Sequence, residues 1–396
     1  MLGWELPPNN SGGLGVACLQ LSKALASAGA DIEFVLPHYH EPKYDFMRVT
    51  SALRHGVRAI VSAKAYESFR YLLEDGSFFE VNMHDQQEAY AQMVGHLAES
   101  LEFDVIHAHD WLTFRAALLA REKKNRPLIL HVHSIERDRA GGPDGNPFVR
   151  EIEATSMLLA DHVIAVSERT KQMIIEDYNI PADKIEVVHN SIDIADMEPL
   201  DEQNAYRYFA DMKSDGWKVI ANVGRLTIQK GLPHLIQATS EVVKRCPKTM
   251  LLFVGDGDQR DELLELAAEK GIGKNVVFAG FLRGKQWRDA YAIADLFVMP
   301  SVSEPFGLTP FEAAGYGTSS LISKQSGVAE VFKNCLKVDF WDTDEMANQI
   351  VSVLQNQGLR ETLTDNAWQE YQSLGWGSAA DRIMERYRMF HEKAMA

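Results

Sequence analysis

Short runs of β-branched and other apolar residues alternate with amphipathic stretches along almost the whole chain. In the first half, the runs that predict strands are 32–37, 103–109, 127–133, 161–166 and 184–189. An amphipathic stretch over 13–30 predicts a helix ahead of the first strand. Strands that alternate with helices in this way predict parallel sheets with helices on both faces.

The alternation lapses over 195–216, a polar and turn-rich segment that we interpret as a linker. It restarts with five further strand patterns, over 218–224, 249–255, 276–281, 296–300 and 319–323. Apolar residues at helical spacing over 378–394 predict a last helix. The pattern therefore predicts two doubly wound, Rossmann-like α/β domains facing across a cleft. We expect them to span 1–195 and 196–375, with a terminal helix over 376–396 that is able to return to the first domain.

Composition narrows the functional classes. The chain has 396 residues, 46% of them hydrophobic, which is enough for two cores. No apolar run approaches the ~18 residues of a membrane span, so membrane docking is not expected. A net charge of −16 disfavours nucleic acid as a partner, and we interpret the basic cluster at 121–127 as a solvated helix end. Three isolated cysteines and the lack of a signal-peptide pattern predict a cytoplasmic protein.

The richest stretch for chemistry is "SVSEPFGLTPFEAAGYG" at 301–317. A proline and a glycine lie between Glu304 and Glu312, so the two carboxylates cannot lie on one helical face. Thr309, three residues before Glu312, gives the pattern of a helix capping box. Backbone amides before the helix are expected to bind a phosphate, and they belong to Phe306, Gly307 and Leu308. A carboxylate beside them would accept hydrogen bonds from vicinal hydroxyls, so the stretch predicts a phosphate attached to a polyhydroxylated group.

Two cations follow an earlier predicted strand, in "VGRLTIQKG" at 223–231. Arg225 and Lys230 leave the carboxyl end of that strand, where ligands of doubly wound sheets bind. Such a pair is able to neutralise a diphosphate leaving group without a metal ion.

The histidines offer a rival chemistry. His107 and His109 share one strand face, as do His131 and His133, because alternate strand residues point the same way. Imidazole pairs at this spacing suit a divalent metal, so a metal-dependent hydrolase is the alternative enzyme. Packing or hydrogen bonding alone would also account for His107 and His131. A third interpretation is a sugar-nucleotide-binding protein without catalytic activity.

The runs "VGRLTIQKG", "LLFVGDGDQR" and "LFVMPSVSEPFGLTPFEA" resemble the C-terminal half of retaining nucleotide-sugar glycosyltransferases of family four and the glycogen-synthase group. The signature of that group is Glu-x7-Glu with an arginine and a lysine upstream. "PPNNSGGLGVACLQLSKAL" and "FDVIHAHDW" resemble its N-terminal half, so the resemblance covers nearly the whole chain. It implies the two-domain GT-B fold, with no cofactor, because the nucleotide sugar is a co-substrate.

The resemblance also implies a role for each matching residue. Arg225 and Lys230 would bind the donor diphosphate, Glu312 the ribose hydroxyls and Glu304 the hydroxyls of the sugar. The implied reaction moves a hexose, with glucose expected, from a UDP- or ADP-type donor to a hydroxyl of a soluble sugar or an α-glucan, and it retains the anomeric configuration.

The matching residues of the N-terminal half would complete the donor site. Gly12 and Gly13 would form a loop near the diphosphate, and His109 would lie close to the transferred sugar. The backbone near Leu282 would contact the base. One departure is Asn10, which replaces a lysine of glycogen synthases and weakens the expectation of polymer synthesis.

Overall fold

The computed structural model describes residues 1–8, 10, 12–51, 57–63, 68–73 and 75–395, with backbone alone for 57–63, 68–73 and 395. The chain forms two compact units. The first unit comprises Met1–Glu136, Asp144–Asn190 and Trp376–Ala396, and the second comprises Arg137–Pro143 and Ser191–Gly375. The C-terminal helix therefore belongs to the first unit, and the longer segment of the second unit begins at Ser191, five residues before the predicted 196.

The elements alternate in chain order much as the hydrophobic pattern predicts. The strands are β1 Glu33–Leu36, β2 Arg48–Ser51, β3 Val57–Ala63, β4 Ser68–Leu73, β5 Phe78–Asn82, β6 Ile106–His109, β7 Leu128–Val132, β8 His162–Ala165, β9 Ile185–Val187, β10 Lys218–Val223, β11 Thr249–Val254, β12 Val276–Phe278, β13 Leu296–Met299, β14 Ser320–Ser323 and β15 Leu336–Val338. The helices are α1 Gly13–Ser27, α2 Met83–Ser100, α3 Trp111–Lys124, α4 Glu136–Ala140, α5 Pro147–Leu159, α6 Glu168–Tyr178, α7 Arg207–Ser214, α8 Leu232–Arg245, α9 Arg260–Glu269, α10 Gly284–Ile293, α11 Thr309–Gly315, α12 Val328–Val331, α13 Thr343–Gln355, α14 Gln357–Tyr371 and α15 Gly377–Met395.

The main sheet of the first unit is parallel, in the order β6-β7-β8-β9. Every residue of β6, β7 and β8 is buried, as expected for parallel strands covered on both faces by helices. β1 pairs in parallel with β2. Leu2 forms a bridge to Val35 in β1 and another to Ala108 in β6, so the first residues of the chain lie between these strands.

An antiparallel sheet, β3-β4-β5, departs from the all-parallel prediction. The strand patterns identified in the sequence include none between 37 and 103, so these strands were missed. β5 is exposed at most positions, so its sequence does not need the continuous apolar run by which a buried strand is identified.

The second unit is built on six parallel strands in the order β12-β11-β10-β13-β14-β15. Numbered from the first strand of the unit, this is the doubly wound order 3-2-1-4-5-6. The order reverses between β10 and β13, which are hydrogen-bonded neighbours. Ligands of such sheets bind at this switch point, outside the carboxyl ends of the strands.

The segment over 195–216 is not the plain linker that its composition predicts. It contains α7, whose Phe209 is buried. The Ala205 backbone N–H donates to Asp289 of α10 at 2.7 Å, and Lys285 forms an ion pair with Asp201 at 2.6 Å. These contacts attach the segment to the second unit, and one short amphipathic helix was too weak a signal to predict them.

The last helix confirms the prediction over 378–394 and extends it by one residue at each end. Ala380 and Ile383 are buried, as their spacing predicts. Just before the helix, the indole N–H of Trp376 donates to the Gln20 side chain of α1 at 3.0 Å. Helix α15 thereby packs on the first unit.

The basic cluster at 121–127 is largely neutralised by neighbouring acids. Lys123 and Lys124 lie 2.7 and 3.0 Å from carboxylates at the end of α2, and Arg121 lies 3.3 Å from Asp161. In the part of the chain that the structure describes, no helix has the length and apolarity to cross a bilayer.

Candidate active site

The predicted site residues of the second unit follow the two strands at the switch point. Arg225 and Lys230 lie in the segment after β10, and Glu304 lies in the segment after β13. The order of the strands therefore brings together residues that are about 75 positions apart in the sequence.

Two glycines shape the start of the Arg225 segment. Gly224 and Gly255 end neighbouring strands with φ angles of +154° and +145°. A Cβ atom at Gly255 would lie 1.8 Å from the carbonyl oxygen of Gly224, so no larger residue fits there. Beyond this approach, the Leu226 N–H donates to the Asp256 carbonyl oxygen at 3.0 Å. The segment that carries Arg225 is thus held against the end of β11.

Lys230 and Glu304 form an ion pair. The Lys230 Nζ atom lies 2.5 Å from Oε2 of Glu304, and the Ser301 hydroxyl donates to the same oxygen at 3.0 Å. Glu304 is buried, whereas Lys230 is partly exposed. The residue predicted to bind the diphosphate, Lys230, is therefore in direct contact with the residue predicted to bind the sugar, Glu304.

Backbone hydrogen bonds hold Glu304 from a neighbouring loop. Its N–H donates to the Gln325 carbonyl oxygen at 3.0 Å, and its own carbonyl oxygen accepts from the Gly327 N–H at 2.9 Å. Val302 N–H donates to the Gln229 carbonyl oxygen at 2.9 Å, which links this segment to the residue before Lys230. The ion pair thus rests on two segments that are bonded to each other, and such a scaffold favours precise positioning.

Arg225 differs from Lys230 because its side chain is exposed. Among the described residues, none forms a hydrogen bond or an ion pair with Arg225. Its guanidinium is therefore available to an anionic ligand without the loss of an existing pair.

The three residues predicted to offer amides follow Glu304. Phe306 and Leu308 are buried, and Gly307 has a φ of +95°. A Cβ at Gly307 would lie 3.0 Å from Cγ of Glu304, so glycine here keeps space beside the carboxylate.

Glu312 does not cap its helix, and this part of the sequence prediction is wrong. Leu308 already has helical angles, so Thr309 is the first helical residue rather than the cap, and its hydroxyl lies near the Met299 sulfur. The Glu312 carboxylate instead accepts a hydrogen bond from the buried Tyr291 hydroxyl at 2.6 Å. Tyr291 lies on α10, far from Glu312 in sequence.

Burial raises the pKa of Glu312 to about 7, although the hydrogen bond from Tyr291 opposes this rise. When the pKa of a carboxyl group is higher in the folded state than in the unfolded state, the free energy of unfolding of the protein falls as pH rises between the two values. The Glu312 carboxyl therefore makes the folded state less stable at pH 8 than at pH 5.

We expect Glu312→Gln to remove this dependence. Relative to the variant, the wild-type protein should lose about 1–2 kcal/mol of unfolding free energy between pH 5 and pH 8, after allowance for partial exposure of the side chain. Urea unfolding of both proteins at the two pH values measures the difference. Glu262→Gln, an exposed site on α9, is the control and should follow wild type. An identical pH dependence in wild type and Glu312→Gln would contradict the assignment.

The predicted residues of the first unit lie at the start of α1 and the end of β6. Gly12 precedes α1 without a side-chain cap, and Gly13 is its first residue. Among the first N–H groups of this 15-residue helix, that of Gly15 donates to Oε1 of Glu5 at 3.4 Å, and none donates to a side chain at the cap position. Asn9 and Ser11, which belong to the same sequence motif, lie outside the described residues.

His109 lies inside a cluster rather than on a surface. Its side chain is 0% exposed, and it stacks on His107 with ring centroids 4.5 Å apart. Burial, with neighbouring imidazoles, lowers its pKa well below the usual range, so the ring is neutral. In this conformation the side chain is closed to a sugar hydroxyl, and its Nε2 atom has no hydrogen-bond partner among the residues that the structure describes.

The next residue, Asp110, has a backbone that is rare for a residue with a side chain. Its φ and ψ angles are +60° and +165°. Its carboxylate accepts hydrogen bonds from the backbone N–H groups of His133 at 2.6 Å and Ser134 at 3.2 Å. Backbone strain of this kind is concentrated at functional sites, so Asp110 joins the candidate residues.

Leu282, predicted near the base, follows β12 and is partly exposed. The carbonyl oxygen of Gly280 accepts a hydrogen bond from the Gly255 N–H at 2.8 Å, which ties this loop to the end of β11. Next to Leu282, the Arg283 guanidinium lies over the Phe281 ring at 5.0 Å. The loop is thus held at the same sheet edge as Arg225.

Sequence reasoning missed Ser301 and Tyr291. Ser301 lies three residues before Glu304, so its hydroxyl was open to prediction as a local partner. Nothing in the sequence links Tyr291 to Glu312, because their contact depends on the packing of α10 beside α11.

Two family descriptions match the chain. Residues 11–196 match "Glycosyltransferase Family 4", and residues 209–370 match "Glycosyl transferases group 1". The two matches fall one in each half of the chain, so they together cover most of both units.

Individual proteins extend this similarity over the whole chain. An uncharacterized glycosyltransferase of Methanocaldococcus jannaschii is 30% identical, over 99% of this chain and 98% of that protein. The glycogen synthase of Mycobacterium tuberculosis is 29% identical, over 84% of this chain and 80% of its own. The structure of HepE from Anabaena, in complex with UDP and glucose, matches with a TM-score of 0.71 at 19% identity, covering 98% of each chain. The chain thus belongs to the glycosyltransferases, in the family-four, glycogen-synthase-like group with the GT-B fold.

Proposed function

We propose that the protein is a retaining hexosyltransferase. It moves glucose from a nucleotide diphosphate donor to a hydroxyl of a carbohydrate acceptor, either a soluble sugar or an α-glucan. Among the enzyme classes considered, family membership favours this transfer over metal-dependent hydrolysis.

The observation that carries the proposal is the contact between Lys230 and Glu304 at the switch point. A cation suits a diphosphate, and a carboxylate suits sugar hydroxyls, so this ion pair supports a donor in which a phosphate is joined to a sugar. The complex of HepE with UDP and glucose supports a donor of this chemical class.

Charge neutralisation is the main catalytic effect in this proposal. As the bond between sugar and phosphate breaks, negative charge grows on the diphosphate, and Arg225 and Lys230 stabilise it. The departing phosphate helps to take the proton from the acceptor hydroxyl on the same face of the sugar. This route needs no protein nucleophile and no cofactor.

The remaining predicted residues hold the donor. Glu312 accepts hydrogen bonds from the ribose through Oε1, because Tyr291 occupies Oε2. Backbone amides bind the diphosphate and the base, and they come from Gly12, Gly13, Phe306, Gly307, Leu308 and Leu282. His109 contacts the sugar after a rearrangement that uncovers its Nε2 atom.

A donor screen tests the proposal. Purified protein is incubated with UDP-, ADP- and GDP-sugars and a set of mono- and oligosaccharide acceptors, and nucleotide release is measured. We expect turnover with a glucose donor and a product whose anomeric configuration, read by proton NMR, matches that of the donor. Tight nucleotide-sugar binding without turnover on any acceptor would favour the non-catalytic alternative, and an inverted product would refute retention.

Metal independence is a separate prediction. Because two side-chain cations neutralise the diphosphate, exhaustive treatment with EDTA should not lower the initial rate of transfer. The rate is measured before chelation, after it, and after readdition of Mg²⁺ or Zn²⁺. Loss of activity on chelation and recovery with a metal ion would contradict this prediction.

A further inference from the structure

Four buried histidines of the first unit form a cluster that the proposed reaction does not use in full. The histidine cluster consists of His107 and His109 on β6, His131 on β7 and His133 just after β7. These strands are neighbours, and His109 is directly opposite His131 in the register. The four side chains are 0–9% exposed.

Hydrogen bonds account for only part of the cluster. His107 bonds the Tyr387 hydroxyl through Nδ1 and His131 Nδ1 through Nε2, the latter at 3.3 Å. His109 Nδ1 and His133 Nε2 are 3.0 Å apart. Three buried ring nitrogens have no partner among the described residues, namely Nε2 of His109, Nε2 of His131 and Nδ1 of His133. Unpaired polar atoms in a dry interior cost stability, so the cluster is incomplete as it stands.

The donor set suits a transition metal. His107, His109 and His131 can each offer one atom within 4.8 Å of the others, and so can Cys18, His109 and His133. His109 is common to both groups. All four rings are buried, and a neutral imidazole offers a metal ion the lone pair of one ring nitrogen.

Geometry favours His109 and His131 as a ligand pair. Their ring centroids are 5.3 Å apart. Two imidazoles that share a tetrahedral Zn²⁺ through bonds of about 2 Å have centroids roughly 5 Å apart. Both residues also have an unpartnered Nε2 atom.

The existing hydrogen bonds would support such ligands. With a metal on Nε2, His131 donates its Nδ1 proton to His107, and His107 donates in turn to the Tyr387 oxygen. His109 donates its Nδ1 proton to His133. In each ligating imidazole, the Nδ1–H group then donates a hydrogen bond to a neighbouring histidine. Such a hydrogen bond orients metal-bound histidines in proteins.

We propose that the histidine cluster binds one Zn²⁺-like divalent transition metal ion through Nε2 of His109 and His131. Since the proposed function assigns His109 to the sugar, metal binding holds this residue away from the donor and slows transfer. The metal site itself does not depend on the proposed function.

The direct test is metal binding. Full-length protein is stripped with chelator and titrated with Zn²⁺ by calorimetry and with Co²⁺ by visible absorption. We expect one ion per chain, a Co²⁺ spectrum of the four-coordinate type and a raised melting temperature with Zn²⁺. His131→Gln should weaken binding more than about a hundredfold, and Tyr387→Phe, which keeps the ring, by about tenfold to a hundredfold.

His162→Gln is the matched control, because His162 is a buried histidine of the neighbouring strand β8 outside the cluster. It should bind metal like wild type. Equal binding in wild type, His131→Gln and Tyr387→Phe, or the lack of a one-to-one isotherm, would overturn the site. If Zn²⁺ binds as expected but transfer runs at full rate, the inhibitory role is overturned and the metal site stands.

Discussion

Replacing Arg225 by alanine should slow sugar transfer about a hundredfold or more and leave the melting temperature unchanged. This loss of rate is the size found when an enzyme loses one hydrogen-bond donor that stabilises negative charge in the transition state. The unchanged stability follows from the structure, because Arg225 is exposed and no described residue is paired with it. Loss of its guanidinium should therefore affect the proposed reaction and not the fold.

The measurement is the initial rate at saturating donor, together with a thermal melt. Arg245→Ala is the matched control, since this exposed arginine ends α8 and bonds only the Asn348 side chain among the described residues. Lys230→Ala should differ from both, because it also leaves the buried Glu304 carboxylate without its cation and so lowers the melting temperature. Near-normal turnover in Arg225→Ala would refute its assignment to the diphosphate.

The second-unit site was open to prediction because its residues are tied to strand ends. A strand pattern followed by Arg225 and Lys230, and another followed by Glu304, place all three at one edge of a parallel sheet. The order 3-2-1-4-5-6 then makes the two strands neighbours, and the contact of Lys230 with Glu304 follows. Likewise, the two-residue spacing of histidines on two strands correctly predicted shared faces, though not that the two pairs would meet.

What escaped prediction depends on packing between distant segments. Glu312 lies in a capping-box sequence, but helical backbone angles begin at Leu308, one residue before the predicted cap. The Glu312 carboxylate instead accepts a hydrogen bond from Tyr291 of α10. The placement of 137–143 in the second unit has no local pattern at all. At Glu312, tertiary contacts outweigh a local preference of about 1 kcal/mol, which is the size of a helix cap.

Glu304→Gln should change rate and binding in opposite directions. The amide keeps the size of the side chain and one acceptor oxygen, but it removes the negative charge 2.5 Å from Lys230. The freed ammonium should then bind a nucleoside diphosphate more tightly than in wild type. Transfer should slow about a hundredfold, because charge-assisted hydrogen bonds to sugar hydroxyls, worth about 1.5–3 kcal/mol each, are lost.

Calorimetric titration with UDP and ADP, turnover with the preferred donor and a thermal melt separate these effects. Lys230→Gln is the control of opposite sign, since it should weaken diphosphate binding while it also slows transfer. Glu304→Gln should in addition lose discrimination between glucose and its epimers, because a site that bonds hydroxyls rejects a sugar that misplaces one. Weaker diphosphate binding in Glu304→Gln, or a full rate of transfer, would show that this carboxylate does not serve the sugar. The ion pair would then serve only to position Lys230, and other residues would have to discriminate between glucose and its epimers.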